Sequence, residues 1–208
     1  MNSMNRRSII VPLMSAILLL TFACTQQKEE SSCCKTDSSP VTEPLPVSDN
    51  SLYLLTSDWE TERNDVKKLE AYHGKVVVAS MFFSNCASAC PRITADMKNI
   101  EAGLSPEEQK KVQFLLITMD IKRDTPGQMK KYAADHQLKD NWELIRSDQS
   151  ATMEMANVLG VRIQPTEGGG FDHSNIIHIL NPEGELVYQQ MGLNVDPQQS
   201  LLEIRKLL

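Results

Sequence analysis

Cys86 and Cys90 stand three residues apart in the run Ser84-Asn85-Cys86-Ala87-Ser88-Ala89-Cys90-Pro91. Thiolates bind soft metals and exchange disulfides, so a close pair of them has two possible chemistries. The pair follows an apolar run and precedes a helical pattern, so it falls where a buried strand hands over to a helix. Unpaired backbone N–H groups and the positive end of the helix dipole point outward at such a junction and stabilise thiolates. Pro91 suits the first helical position, because its missing N–H would be unpaired there anyway. That places Cys90 at or next to the N-cap and Cys86 one loop earlier. The plain alternative is a structural disulfide. The small, polar loop and the proline argue against it, and a metal site and a redox dithiol both stay open.

Two other segments are expected at the same place. Sites in open α/β sheets form beyond the C-terminal ends of parallel strands. Asp120 ends the apolar run from Val112, so it reaches the same rim as an outer partner of the site. His173 closes the glycine-rich stretch Gly168-Gly169-Gly170-Phe171-Asp172-His173-Ser174, read as a loop that allows close backbone approach and a hinge. Two thiolates and an imidazole make a soft set that suits Cu(I), and Cu(II) with a weak oxygen ligand. His178 lies five residues on, on the opposite face by strand alternation, and reads as structural. His73 and His136 have no partner in sequence.

The elements that must position these residues alternate. A short strand near Leu52–Leu55 precedes a helix or turn at 65–72. Apolar runs at 75–83 and 112–120 read as strands buried on both faces. Helices follow at 91–102, from Ser105-Pro106, from Thr125-Pro126 to about His136, and at 150–159. A strand at 142–146, a hairpin of 175–180 with 186–190 across Asn181-Pro182-Glu183-Gly184, and a helix at 197–208 complete the chain. The pattern describes an α/β fold of thioredoxin type: a central mixed sheet flanked by helices, with an added β-hairpin.

The two ends of the chain differ in kind. Residues 1–24 carry Arg6 and Arg7, then an apolar segment from Ile9 to Ala23, then Cys24. The apolar segment is shorter than the roughly 20 residues that span a bilayer, and suits an export signal. Cys24 after a small residue resembles a bacterial lipoprotein box, so it is the expected lipidation site. Residues 25–50 are polar and rich in Ser and Pro, read as a flexible tether with a reach on the order of 28 Å. Adjacent Cys33 and Cys34 in the tether read as incidental. Residues 51–208 form the folded domain, expected outside the cytoplasm on the periplasmic side. The formal charge of the 208-residue chain is −6. Without Arg6 and Arg7 it has 19 basic against 27 acidic side chains, which argues against a nucleic-acid partner. Five cysteines make no disulfide framework.

Residues 51–208 resemble the Sco/SenC family of copper chaperones. The shared features are Ser51–Trp59, Gly74–Val78, CxxxCP at Cys86–Pro91, Asp120–Pro126 with Arg-Asp-Thr-Pro, Leu159–Val161, Asp172-His173-Ser174 and Met191–Leu193. Cys86 is preceded by Ser84-Asn85 and Asp120 is followed by Ile121, where the family often has other residues. The resemblance implies a thioredoxin-like fold and copper held by Cys86, Cys90 and His173. It implies delivery to the CuA centre of a terminal cytochrome c oxidase, so the expected partners are the CuA-bearing subunit, other copper carriers, and the membrane through a lipid anchor. A metallochaperone is expected before an enzyme. The rival reading is a thiol–disulfide reductase using Cys86 and Cys90, or a copper or redox sensor.

Overall fold

A computed structural model describes residues 48–168 and 170–208. The leader, Cys24, Cys33, Cys34 and all but the last three residues of the tether lie outside the described residues. Among the described residues no helix is long and apolar enough to cross a membrane.

The framework is a seven-stranded mixed sheet. Its strands are β1 (Trp59–Thr61), β2 (Val66–Lys67), β3 (Val76–Phe82), β4 (Val112–Thr118), β5 (Trp142–Arg146), β8 (Ile176–Leu180) and β9 (Leu186–Met191). Their order across the sheet is β2-β1-β5-β4-β3-β8-β9. β3, β4 and β5 are parallel, with Val76 opposite Val112 and Phe114 opposite Trp142. Every residue of β3 and of β4 is buried, which is why both read as near-continuous apolar runs. Helices α1 (Ala89–Ala102), α2 (Pro106–Lys110), α3 (Pro126–Asp135), α4 (Gln149–Val158) and α5 (Gln198–Leu207) complete the α/β arrangement expected from the sequence.

Local chemistry sets the ends of these elements. Ser105 and Glu108 form a capping box at α2. The Thr125 and Asp148 side chains accept from the backbone N–H of Gln128 and Ala151, starting α3 and α4. The turn between β8 and β9 needs Gly184 at φ +84, where an added Cβ would lie 2.7 Å from Ser51 Oγ and from the Tyr53 ring.

Three expectations are corrected. The segment near Leu52–Leu55 is a 3-10 turn, Leu52–Leu54, not a strand. The Ser51 side chain accepts from the Tyr53 N–H, and Leu52 N–H donates to the Gly184 carbonyl, which curls the chain and buries Leu52 and Tyr53. Helix α1 starts at Ala89, with Ser88 at the N-cap, so Cys90 and Pro91 are its second and third residues. The proline still costs no hydrogen bond, because the first helical N–H groups have no partner within the helix. The end of the glycine-rich stretch, Phe171–His173, is one arm of a hairpin rather than the end of a loop running straight into β8. β6 (Ile163–Pro165) pairs antiparallel with β7 (Phe171–His173), Ile163 opposite His173, as a separate two-stranded sheet.

The topology explains why distant residues meet. β3 and β4 end at one edge of the sheet, where the loops leading to α1 and α3 leave. β8 runs antiparallel to β3, with Leu180 opposite Val77 and His178 opposite Ala79. It therefore begins at the edge where β3 ends, and His173, three residues before β8, arrives beside the cysteines.

Candidate metal and thiol site

The loop from Phe83 to Ser88 presents Cys86, and the first turn of α1 presents Cys90. Cys90 is fully buried and Cys86 half-buried, both as free thiols. Cys90 N–H donates to Cys86 Sγ at 3.3 Å, and Phe83 N–H donates to Cys90 Sγ at 3.4 Å. His173 Nε2 lies 3.9 Å from Cys90 Sγ. Its Nδ1 is 3.1 Å from the Ser174 carbonyl. A carbonyl can only accept, so Nδ1 carries the proton and Nε2 turns a lone pair toward the sulfur. Burial holds the imidazole below the ordinary histidine range, against the pull of the Ser174 carbonyl and Asp172. A neutral ring is the metal-binding form.

The two thiols differ. Burial would raise Cys86, but backbone N–H groups of Cys90, Ser88 and Ala89 outweigh it and hold the thiol below its ordinary value. Burial pushes Cys90 far above its ordinary value, aided by the nearby charges of Cys86 and Asp124. The sequence expectation of two thiolates activated alike at the helix start is therefore corrected. Only Cys86 gains from the exposed amides, while Cys90 is desolvated beneath them.

Cys90 Sγ and His173 Nε2 have nearly the separation of two ligands sharing one ion. Bonds of about 2.3 Å to sulfur and 2.0 Å to nitrogen, at tetrahedral or trigonal angles, put those atoms about 3.5–3.7 Å apart. Among the described residues, no three His, Cys, Asp or Glu side chains form a ready-made metal group. The Cys90–His173 pair thus stands near ligand spacing, while the Cys86 sulfur accepts from the Cys90 N–H of α1.

Asp120 lies just past β4, but its carboxylate pairs with Arg123 and accepts from the Arg123 N–H. The carboxylate that bonds the cysteine loop is Asp124, absent from the sequence-based set. It is fully buried and accepts from Ser84 N–H at 3.0 Å, from Ser84 Oγ and from Thr118 Oγ1. Phe83 carries no sequence signal of a site role. Its ring meets His173 edge-on, centroids 6.1 Å apart, and Phe171 at 5.3 Å. His178 is buried in β8 with Nδ1 3.1 Å from Gln189 Nε2, and since His173 stands on β7 of the other sheet, strand alternation does not relate the two. His136 caps α3 and packs on Tyr132. His73 packs against Tyr53.

Beside the hairpin lies a cavity of about 590 Å³, lined by residues that include Met119, Arg123, Thr152, Met153 and Phe171.

Comparison with known proteins identifies a family. A family model described as SCO1/SenC matches residues 54–208. The SCO1 protein homolog of Bacillus subtilis (strain 168) is 26% identical over 138 residues, 64% of this chain and 71% of that protein. The solved structure of BsSco, a member of the Sco family of cytochrome c oxidase assembly proteins in which a disulfide switch is identified, is 25% identical with a TM-score of 0.64. It covers 72% of this chain and 90% of its own. ScoI of Bradyrhizobium japonicum with copper bound has a TM-score of 0.63 at 19% identity, covering 73% of this chain and 97% of its own.

Proposed function

Because this chain belongs to the SCO1/SenC family, we propose that it carries copper on Cys86, Cys90 and His173 and passes it to a partner's cysteines by ligand exchange. The observation that carries this reading is the 3.9 Å approach of the proton-free His173 Nε2 to Cys90 Sγ. Two soft sulfurs and a neutral imidazole favour Cu(I) over harder divalent ions. Loading requires Cys86 to turn its sulfur from the α1 amides toward the Cys90–His173 pair, and requires the Cys90 proton to leave. The part-exposed Cys86 is then the first ligand to meet a copper donor and the first to let go. The final acceptor in this reading is the CuA centre of a terminal cytochrome c oxidase. The leader and Cys24 would hold the domain on the membrane, outside the cytoplasm.

Anaerobic titration of the purified protein with Cu(I) tests this. The expected result is one tightly held equivalent, and weaker retention by His173→Ala. Absence of a tight equivalent, or equal binding by His173→Ala, contradicts the reading.

One observation favours a second reading, thiol–disulfide exchange. An accessible thiol held below its ordinary value beside a buried one held above it suits an attacking and a resolving cysteine. Cys86 thiolate would attack a partner's disulfide and release one partner thiolate. Cys90 would then lose its proton, displace the second and leave a Cys86–Cys90 disulfide. The partner gains two electrons, and a further dithiol must reset the pair. In that case His173→Ala retains full reductase activity.

A further inference from the structure

We infer that Asp124 is a positioning residue for the copper site, acting through the Phe83–Ser84 backbone on all three proposed ligands; this inference rests on the copper reading above. Phe83 and Ser84 form the short segment leaving β3, and the site is referenced to it from several sides. Phe83 N–H holds the Cys90 sulfur, and the Phe83 carbonyl accepts from the Cys86 N–H at 3.2 Å. The Phe83 ring packs on the His173 imidazole and on Phe171 of the same hairpin. A shift of this segment, whose Phe82–Phe83 peptide carries the N–H and whose Phe83–Ser84 peptide carries the carbonyl, would move both sulfurs and the surface on which His173 rests.

Asp124 restrains the Phe83–Ser84 peptide of that segment from the other side. Its carboxylate takes both the N–H and the hydroxyl of Ser84, and is itself fixed by the Thr118 hydroxyl at the end of β4. A fully buried carboxylate is costly unless its oxygens are satisfied, and here three donors satisfy it. The clamp therefore joins the ends of β3 and β4 at the edge where the ligands gather. Asp124 N–H donates to the Asp120 carbonyl at 2.9 Å, and Thr125 caps α3, so the clamp is anchored on a closed turn. Asparagine cannot replace it in full, since its side chain offers one accepting oxygen and an NH₂ where two accepting oxygens are used.

The test compares wild type, Asp124→Asn and Ser84→Ala. Amide hydrogen exchange of the metal-free protein is followed at Phe83, Ser84, Cys86 and Cys90, with the β4 amides as reference. Positioning predicts at least tenfold faster exchange in the loop of Asp124→Asn, a smaller increase in Ser84→Ala, and β4 amides unchanged. Cu(I) competition titration then gives at least tenfold weaker binding for Asp124→Asn, with Ser84→Ala between it and wild type. A merely structural role accelerates loop and β4 amides together and leaves copper affinity unchanged in the folded fraction. That result overturns the inference, as does loop exchange equal to wild type in both variants. Should Asp124→Asn fail to fold, the Ser84→Ala result decides. Should wild type hold no copper, the copper reading fails, while the exchange experiment still decides whether Asp124 orders the loop.

Discussion

At the scale of single residues, the central feature is the inequality of two cysteines that the sequence presents as equals. The helix-start amides reach Cys86, and the Cys90 sulfur lies beneath them, accepting from the Phe83 N–H. Iodoacetamide near pH 7 is therefore expected to label Cys86 and spare Cys90, with a labelling midpoint below that of an ordinary thiol; equal rates at both would contradict this. The sign for stability follows from linkage. Cys90, raised in the fold, contributes stability below the unfolded thiol value of about 8.5, and that contribution is lost as pH rises through its folded value. Cys86, lowered in the fold, acts in the opposite sense, losing its contribution as pH falls through its folded value. Urea unfolding of metal-free protein should thus show a decline in stability above about pH 8.5 that is smaller in Cys90→Ala. Cys86, Cys90 and His173 were legible because their types and order are distinctive. Asp124 was not. Asp120 drew notice as the end of an apolar run, but β4 stops at Thr118 and the next residues turn, so the acid directed back at the loop is four residues later.

At the scale of elements, the hairpin of β6 and β7 was the part the sequence hid. Each arm has three residues, too few for a periodic signal, and the glycines point to an open loop. What holds the hairpin over the site is aromatic packing of Phe83 on Phe171 and His173, a contact between segments about 90 residues apart. Phe171 is only partly buried, so Phe171→Ala should leave the unfolding temperature nearly unchanged while weakening Cu(I) retention roughly tenfold, the equivalent of about 1.4 kcal/mol from a lost aromatic contact. Competition titration checks it, and wild-type affinity in this variant would show that the hairpin is held by other means. The β8–β9 turn was readable because Asn181-Pro182-Glu183-Gly184 carries turn chemistry. Gly184→Ala meets both a positive φ and the Tyr53 ring, and should destabilise by roughly 1–3 kcal/mol in thermal or urea unfolding, without altering the ligands.

At the scale of the whole molecule, most of the architecture was legible because alternating buried strands and helices admit few topologies. The near-continuous apolar runs of β3 and β4 gave the sheet centre, and the rule for the carboxyl ends of parallel strands gave the edge. The sheet order was not readable, because β8, besides pairing with β9, joins β3, a strand about 95 residues earlier in the chain. It is this placement that brings His173 to the cysteines. Beyond the described residues, the proposed lipid anchor makes its own prediction. Cys24→Ser should move the protein from the membrane fraction to the soluble fraction of cells, and unchanged fractionation would remove Cys24 from the account. The most direct test of the central claim is the absorption and paramagnetic resonance spectrum of the Cu(II)-loaded protein, wild type against Cys86→Ser and His173→Ala. The account predicts a thiolate-to-copper charge-transfer band in wild type that is lost or displaced in both variants. A wild-type protein with no such band, or a band untouched by His173→Ala, would contradict it.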